Sequence, residues 1–327
     1  MPRLEHHLLR SGPLVGPALP GSPRAAQQAE HARRQQRCGS ARKAGGGDGV
    51  TGDNGLSLDG RASTARVYNY LLGGKDNFAV DREAAEKIIR SAPDAPDVAR
   101  ENLRFAGRAA SWAVATHGIK RVVDIGVGIS YGVPIPSVET CVKQADPAAK
   151  VIGFDPDEVV LAHARAYRPG YGGVLHGDVT DLDGIFNHPA ADLIDTTKPI
   201  VVVLAAVLHF IKDATAVMDE LSERLAAGSV VVLSHATSTD TSQGRVAGMT
   251  KAYKKASSQI IFRPEEEIRA LAHGWDIVTP PDLVDVQRWS PDGSYNGPSH
   301  ETVRVVGMAA VLPDHRPEQN HTAGAVQ

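Results

Sequence analysis

Residues 121–128 read Arg-Val-Val-Asp-Ile-Gly-Val-Gly. The first five are too few for a helix and rich in β-branched side chains. Such a continuous apolar run, closed by glycine, predicts a strand buried on both faces. Gly126 and Gly128 then predict a tight turn in which the backbone approaches a ligand closely, with a helix to follow.

The same signal repeats on either side. Further strands are predicted over 151–154, ending at Asp155, over 173–175, 199–208 and 229–233. Helical spacing fills the gaps at 138–144, 158–167 and 214–225. Two late strands are predicted over 275–278 and 302–312, after a helix over 264–272 whose Pro264 suits the first helical position. Apolar strands alternating with helices predict an α/β fold, a Rossmann-like sheet of seven mostly parallel strands with helices on both faces. Upstream, helical patterns are predicted over 66–72, stopped by Gly73-Gly74, over 82–90 with Asp81 as N-cap, and from Pro96 to Gly118.

Composition divides the chain. Of 327 residues with net charge −3, residues 1–48 hold eight Lys or Arg and three Asp or Glu. The remainder holds 27 and 35, so a basic segment precedes an acidic body. Residues 1–60, rich in Pro, Gly, Ala, Arg and Gln, are expected to be a disordered extension, as is the tail at 314–327. Between them the expected domain runs over 61–313, a helical cap at 61–118 and a Rossmann-like core at 119–313.

The acidic body argues against nucleic acid as its partner. The longest apolar run, 200–208, is too short to span a bilayer, and the N-terminus lacks a secretory apolar core. Cys38 and Cys141 make neither a disulfide framework nor a zinc site, and a reducing cytoplasm is the expected location.

Three strand-end acids carry the chemistry. Asp124 precedes the Gly126–Gly128 turn, Asp155 ends the second strand, and Asp178 follows the third. Asp155 is placed to accept from two ribose hydroxyls and Asp178 from an adenine amine. Each alone is an ordinary turn residue. In this order they describe a nucleoside laid across the carboxyl ends of the sheet. The dinucleotide fingerprint lacks its third glycine, since Tyr131 stands there and Gly132 one place later. The turn therefore suits an amino-acid or sulfonium moiety better than a pyrophosphate.

His209 and His235 are expected to follow the fourth and fifth strands and to face one cleft. A histidine there could take a proton from an acceptor oxygen or nitrogen, although a lone buried histidine is more often a satisfied structural group. No HxxxH or Cys/His cluster accompanies them, so no metal is expected. Tyr253, Trp275 and Trp289 are either acceptor-pocket walls or core anchors.

The succession DIGVG (124–128), VIGFDPD (151–157), GDVTD (177–181) and VVVLAAVLHF (201–210) resembles a class I S-adenosylmethionine-dependent methyltransferase. More narrowly, ARVYNYLLGGKDNF (65–78), VLHFIKD (207–213), LSHAT (233–237) and RWSPDG (288–293) resemble the actinobacterial S-adenosyl methyltransferase family long classed as a domain of unknown function. The resemblance implies an antiparallel last strand and a cap that folds over the cofactor. ISYGVPIP (129–136) departs from the family's usual Pro-Thr-type turn.

By position, Asp124, Gly126 and Gly128 would hold the methionine end of S-adenosylmethionine. Asp155, with Pro156 beside it, would hold the ribose, and Asp178 and Val179 would hold the adenine. Ala205, Ala206 and Val207 would line the open side. From the cap, Tyr68, Gly73, Lys75 and Asn77 are candidates, Lys75 either pairing with the methionine carboxylate or standing solvated in its turn. The implied activity is methyl transfer to an unidentified acceptor, a small molecule being favoured, with S-adenosylhomocysteine as product. A non-catalytic cofactor-binding regulator and a nicotinamide-dependent oxidoreductase are the alternatives. Oligomeric state has no signature in the sequence.

Overall fold

The computed structural model describes residues 60–167, 173–189, 194–254, 256–294 and 303–314. The proposed extension and tail, Cys38 included, lie outside the described residues apart from their inner ends.

Three helices come first: α1 (Thr64–Leu71), α2 (Ala79–Ser91) and α3 (Ala95–His117). Asp81 lies inside α2, not before it, and caps from there by accepting the Phe78 N–H at 2.8 Å. The core follows as β1 (Arg121–Ile125), α4 (Val138–Ala145), β2 (Lys150–Asp155), α5 (Glu158–Tyr167), β3 (Val174–His176), α6 (Leu182–Phe186) and β4 (Val201–Ala205). A 3₁₀ turn (Leu208–Phe210) leads to α7 (Ala214–Arg224), β5 (Val230–Thr237), α8 (Gln243–Tyr253) and α9 (Glu265–Ala270). The chain closes with β6 (Asp276–Ile277), β7 (Val284–Asp285) and β8 (Arg304–Val311).

The sheet has the order β3-β2-β1-β4-β5-β8-β6, with β7 also on β8. β1 to β5 are parallel, and β8 runs antiparallel to β5. Along β1, β4 and β5, alternate residues enter two different cores, which is why these strands read as unbroken apolar runs. Val123, Ile125, Val202, Leu204, Val231 and Leu233 meet α6, α7 and α9 through Ile185, Leu221 and Ile268. Val122, Val201, Val203, Val230 and Val232 meet α3 and α4 through Phe105, Ala109, Ala110 and Val142. A third core joins α1, α2 and α8 to the first turns of α3 through Val67, Leu71, Ala85, Ile88, Val98 and Tyr253. Each large side chain so buried contributes ~1.5–3 kcal/mol, so the cap has a core of its own.

The sheet departs from seven strands in one place. Ile277 pairs with Ala310 and Val284 with Gly307, so residues 278–283 bulge out opposite only two residues of β8. Pro280 and Pro281 lie in the bulge and have no N–H for the ladder. The sixth strand is thereby split into β6 and β7. β5, in turn, is longer than its apolar run. Ser234 to Thr237 stay paired with β8, His235 opposite Val306, so the ladder carries residues that propensity alone would end at Leu233.

Candidate functional site

The strand order reverses between β1 and β4, the point at which sheets of this kind bind ligands outside the carboxyl ends of their strands. Those ends share a level: Ile125 pairs with Phe154, Asp155 with His176, and Ala205 with Ser234.

The turn after β1 is tied to β2 by N–H groups of Gly126 (2.7 Å) and Val127 (3.3 Å) on the Phe154 carbonyl. Gly126 has φ +75° and Gly128 φ +61°, a region that favours glycine. A Cβ on Gly126 would lie 2.6 Å from a Val207 methyl, so the β1 and β4 loops touch only because residue 126 has no side chain. Ala206 carries φ +59°, and its N–H donates to the Ser234 hydroxyl at 2.8 Å. A non-glycine residue in that conformation costs ~1–2 kcal/mol, a strain that concentrates at functional loops.

Asp155 is buried and accepts one N–H on each oxygen, from Gly128 and from Asp157, both at 2.9 Å. Asp124, also buried, has no hydrogen bond or ion pair with the described residues. Burial, then Asp155 and Glu139, raise Asp124 to about 7. Burial raises Asp155 to about 6 against the pull of the Asp157 and Gly128 N–H groups. No described cation pairs with either. Asp178, half-buried, accepts from the Thr180 N–H (2.9 Å) and hydroxyl (2.8 Å), and Val179 beside it is buried.

The pH consequence has a definite sign. Asp124 titrates near 7 when folded against 3.8 ordinarily, so its stability contribution is present below pH 4 and lost as pH rises to 7. Asp124→Asn abolishes that loss. Its thermal midpoint should match the wild type at pH 4 and exceed it at pH 8 by several degrees, at ~2–4 °C per kcal/mol. An equal gap at both pH values would refute the assignment.

The cap is pinned to this edge twice. Asn69, fully buried in α1, donates from Nδ2 to the Ile129 carbonyl (3.0 Å) in the Gly126–Gly128 loop. Its Oδ1 accepts from the Asp76 N–H and from Asn77 Nδ2. Ser63 hydroxyl donates to Asp157, and Arg66 lies 2.8 Å from Asp81 and 3.6 Å from Asp157. Asn69, Ser63 and Arg66 are site-supporting residues that sequence reasoning missed, and Asp81, expected only as a helix cap, is a fourth. A buried Asn inside the apolar VYNYLL stretch was the one available signal.

The predicted cap residues have mixed placements. Asn77 is buried and bonded within the cap, to Asn69 and the Gly74 carbonyl. The Tyr68 hydroxyl donates to the Ala99 carbonyl and accepts from Asn102 Nδ2, both at 2.9 Å. Gly73 and Lys75 are exposed in the turn.

The histidines do come together, with ring centroids 5.6 Å apart. His235, however, lies within β5 rather than after it, and is fully buried. Its Nε2 accepts from Arg263 Nη1 at 2.8 Å, so Nδ1 carries the proton and donates to the Ala236 carbonyl at 2.8 Å. His209, on the 3₁₀ turn after β4, accepts the Ala236 N–H on Nδ1 at 3.3 Å. Burial, then His235 and Arg263, hold His209 well below its ordinary value. Burial and Arg263 take His235 down to about 4 despite its bond to Ala236.

Trp275 and Trp289 are core anchors. Trp275 packs under β8, and Trp289 stands edge-on to Phe105 at 5.5 Å. Tyr253 lies 5.5 Å from Phe210, which is itself 4.4 Å from His209. Among the described residues there is no group of three His, Cys, Asp or Glu arranged for a metal, and no helix long and apolar enough to cross a membrane.

A family model described as S-adenosyl methyltransferase matches residues 55–313. The crystal structure of a Thermobifida fusca protein assigned as a methyltransferase is similar at 25% identity and TM-score 0.71, covering 81% of this chain and 100% of that one. A DUF574-family protein from Streptomyces avermitilis is similar at 26% identity and TM-score 0.70, covering 78% and 98%. No curated protein matches the sequence.

Proposed function

Because the chain belongs to the S-adenosyl methyltransferase family, matched over residues 55–313, we propose that its crevice at β1–β4 holds S-adenosylmethionine and that a small molecule receives the methyl group beneath the cap. The protein is an S-adenosylmethionine-dependent methyltransferase.

One observation carries the site reading. Asp124 and Asp155 are neighbouring buried carboxylates with no cation of the described chain to pair with. Burying such charge is costly unless something positive or hydrogen-donating meets it. The ammonium and sulfonium of the cofactor are positive, and its ribose hydroxyls donate. When bound, S-adenosylmethionine supplies an electrophilic methyl group on sulfur.

In this reading Asp124 and the Gly126–Gly128 turn receive the methionine end, and Asp155 receives the ribose beside Pro156. Asp178 and Val179 receive the adenine. Ala205, Ala206 and Val207 line the open side, the bulk of Val207 bounding the space above Gly126. Of the cap residues, Tyr68, Gly73 and Asn77 hold the cap in shape, and exposed Lys75 is the group free to reach a carboxylate. Much of the rate would come from positioning and from excluding water.

The small-molecule reading rests on cover. His209 is buried, and Phe210 beside it packs on Tyr253 of α8 and belongs to the cap's core. An acceptor has to fit under that cover. Cys141 is a free thiol, which suits a reducing cytoplasm. Incubation with methyl-tritiated cofactor and actinobacterial extract, followed by size fractionation, tests the acceptor class. Label is expected in the small-molecule fraction; label confined to protein or nucleic acid would overturn it.

A further inference from the structure

The two rings beside the crevice have, between them, two basic lone pairs, and both are already in use. His235 Nε2 accepts from Arg263, and His209 Nδ1 accepts from the Ala236 N–H. Arg263 itself is buried and makes no ion pair with the described residues. It spends its other donors on the carbonyls of Leu208 (3.1 Å), Ile211 (2.8 Å) and Lys212 (3.0 Å). The same segment is held again by the Ile261 N–H on the His209 carbonyl at 2.7 Å. The donors therefore run one way, from Arg263 through His235, and the peptide N–H of Ala236 fixes His209 with its proton on Nε2. That Nε2–H has no partner among the described residues, although the residue is only 5% exposed.

We propose that His209 meets the acceptor as a fixed hydrogen-bond donor, and that the acceptor is an ionised oxygen nucleophile, a carboxylate or an acidic hydroxyl. The inference rests on the cofactor reading above. A neutral amine attacks without a base but becomes a cation on the side where Arg263 already is one. A neutral alcohol has a proton to lose, and neither ring has a lone pair to take it. An oxyanion has none to lose. Its lone pair forms the O–CH₃ bond while the C–S bond breaks and returns its electrons to sulfur, so an anion and a cation become two neutral products and no base is required. A donor N–H also steers the oxyanion, and buried Arg263, on which Glu267 acts only from beyond ion-pair distance, favours an anion on this side.

The test uses the full chain with ¹⁵N-labelled histidine at pH 7.5, His209 being assigned through the His209→Gln variant. The expected His209 spectrum has a protonated Nε2 and an unprotonated Nδ1, with or without S-adenosylhomocysteine. In the product-loaded protein, acetate is expected to move the Nε2–H resonance and ethylammonium to leave it in place. His209→Phe should weaken acetate binding about tenfold or more, the loss of a hydrogen bond to a charged group, and His209→Gln should weaken it less. A proton on Nδ1, a resonance moved by ethylammonium, or one that acetate leaves unmoved would each overturn the proposal. Failure of S-adenosylhomocysteine to raise the thermal midpoint would instead overturn the cofactor reading, since the tautomer is measured without it.

Discussion

Asp81→Ala loosens the cap and lowers stability by about 3–5 kcal/mol, the cost of stranding one partner of a buried ion pair. The magnitude follows from what Asp81 holds. It is fully buried, with Arg66 only 4% exposed, and Arg66 Nε lies 2.8 Å away. Its two oxygens also take the Ser63 N–H at 2.9 Å and the Phe78 N–H at 2.8 Å. Removing the carboxylate takes the acceptor from the Ser63 and Phe78 N–H groups and leaves the buried guanidinium with only the Arg61 carbonyl at 3.2 Å and the more distant Asp157 carboxylate at 3.6 Å. At ~2–4 °C per kcal/mol the thermal midpoint should fall by about 6–20 °C. The double variant Arg66→Met with Asp81→Leu removes both charges and should recover more than half of that loss. A midpoint within about 2 °C of wild type for Asp81→Ala, roughly 1 kcal/mol or less, would show that the pair does not hold the cap down.

The parts of this fold legible in the sequence are those with one dominant physical signal. β1, β4 and β5 are apolar on both faces because each face has its own core, and a run such as 200–204 has no other reading. The turn at Gly126–Gly128 is legible because two close glycines so often follow such a strand, but the packing of Val207 against Gly126 is a use that no spacing announces. The acids at Asp124, Asp155 and Asp178 were legible as a series through their strand-end spacing. What was hidden depends on partners distant in sequence. Arg66 finds Asp81 at a separation of 15 and Ser63 finds Asp157 at 94, and no periodicity announces either. Asn69 is hidden in the same way, because a single polar residue in an apolar helix has no spacing to reveal its role.

The histidines show the limit most clearly. Their proximity followed from adjacent parallel strands. Their chemistry did not, because the tautomers depend on Arg263, 28 residues beyond His235, and on a single peptide N–H. The end of β5 is hidden for a related reason. Residues 234–237 are strand because β8 pairs with them, and β8 lies far along the chain. The split of the sixth strand had a visible cause in Pro280-Pro281, whose missing N–H groups interrupt any ladder.

The central claim is that the cofactor lies across the strand ends with its ribose on Asp155. Asp155 has one N–H on each oxygen and so retains lone pairs for two further donors. Replacing it with alanine removes the brace on Gly128 and, in the proposed site, the acceptor for the ribose. A hydrogen bond to a charged group is worth about 1.5–3 kcal/mol, so a loss of ~10–150-fold in affinity is expected. Asp178→Ala should cost less, because Asp178 is half-exposed and spends one oxygen on Thr180. The direct measurement is calorimetric titration of S-adenosylhomocysteine into wild type and Asp155→Ala, each shown by circular dichroism to be folded. A dissociation constant raised at least about tenfold is the predicted result; a folded Asp155→Ala that binds as tightly as wild type would contradict the account.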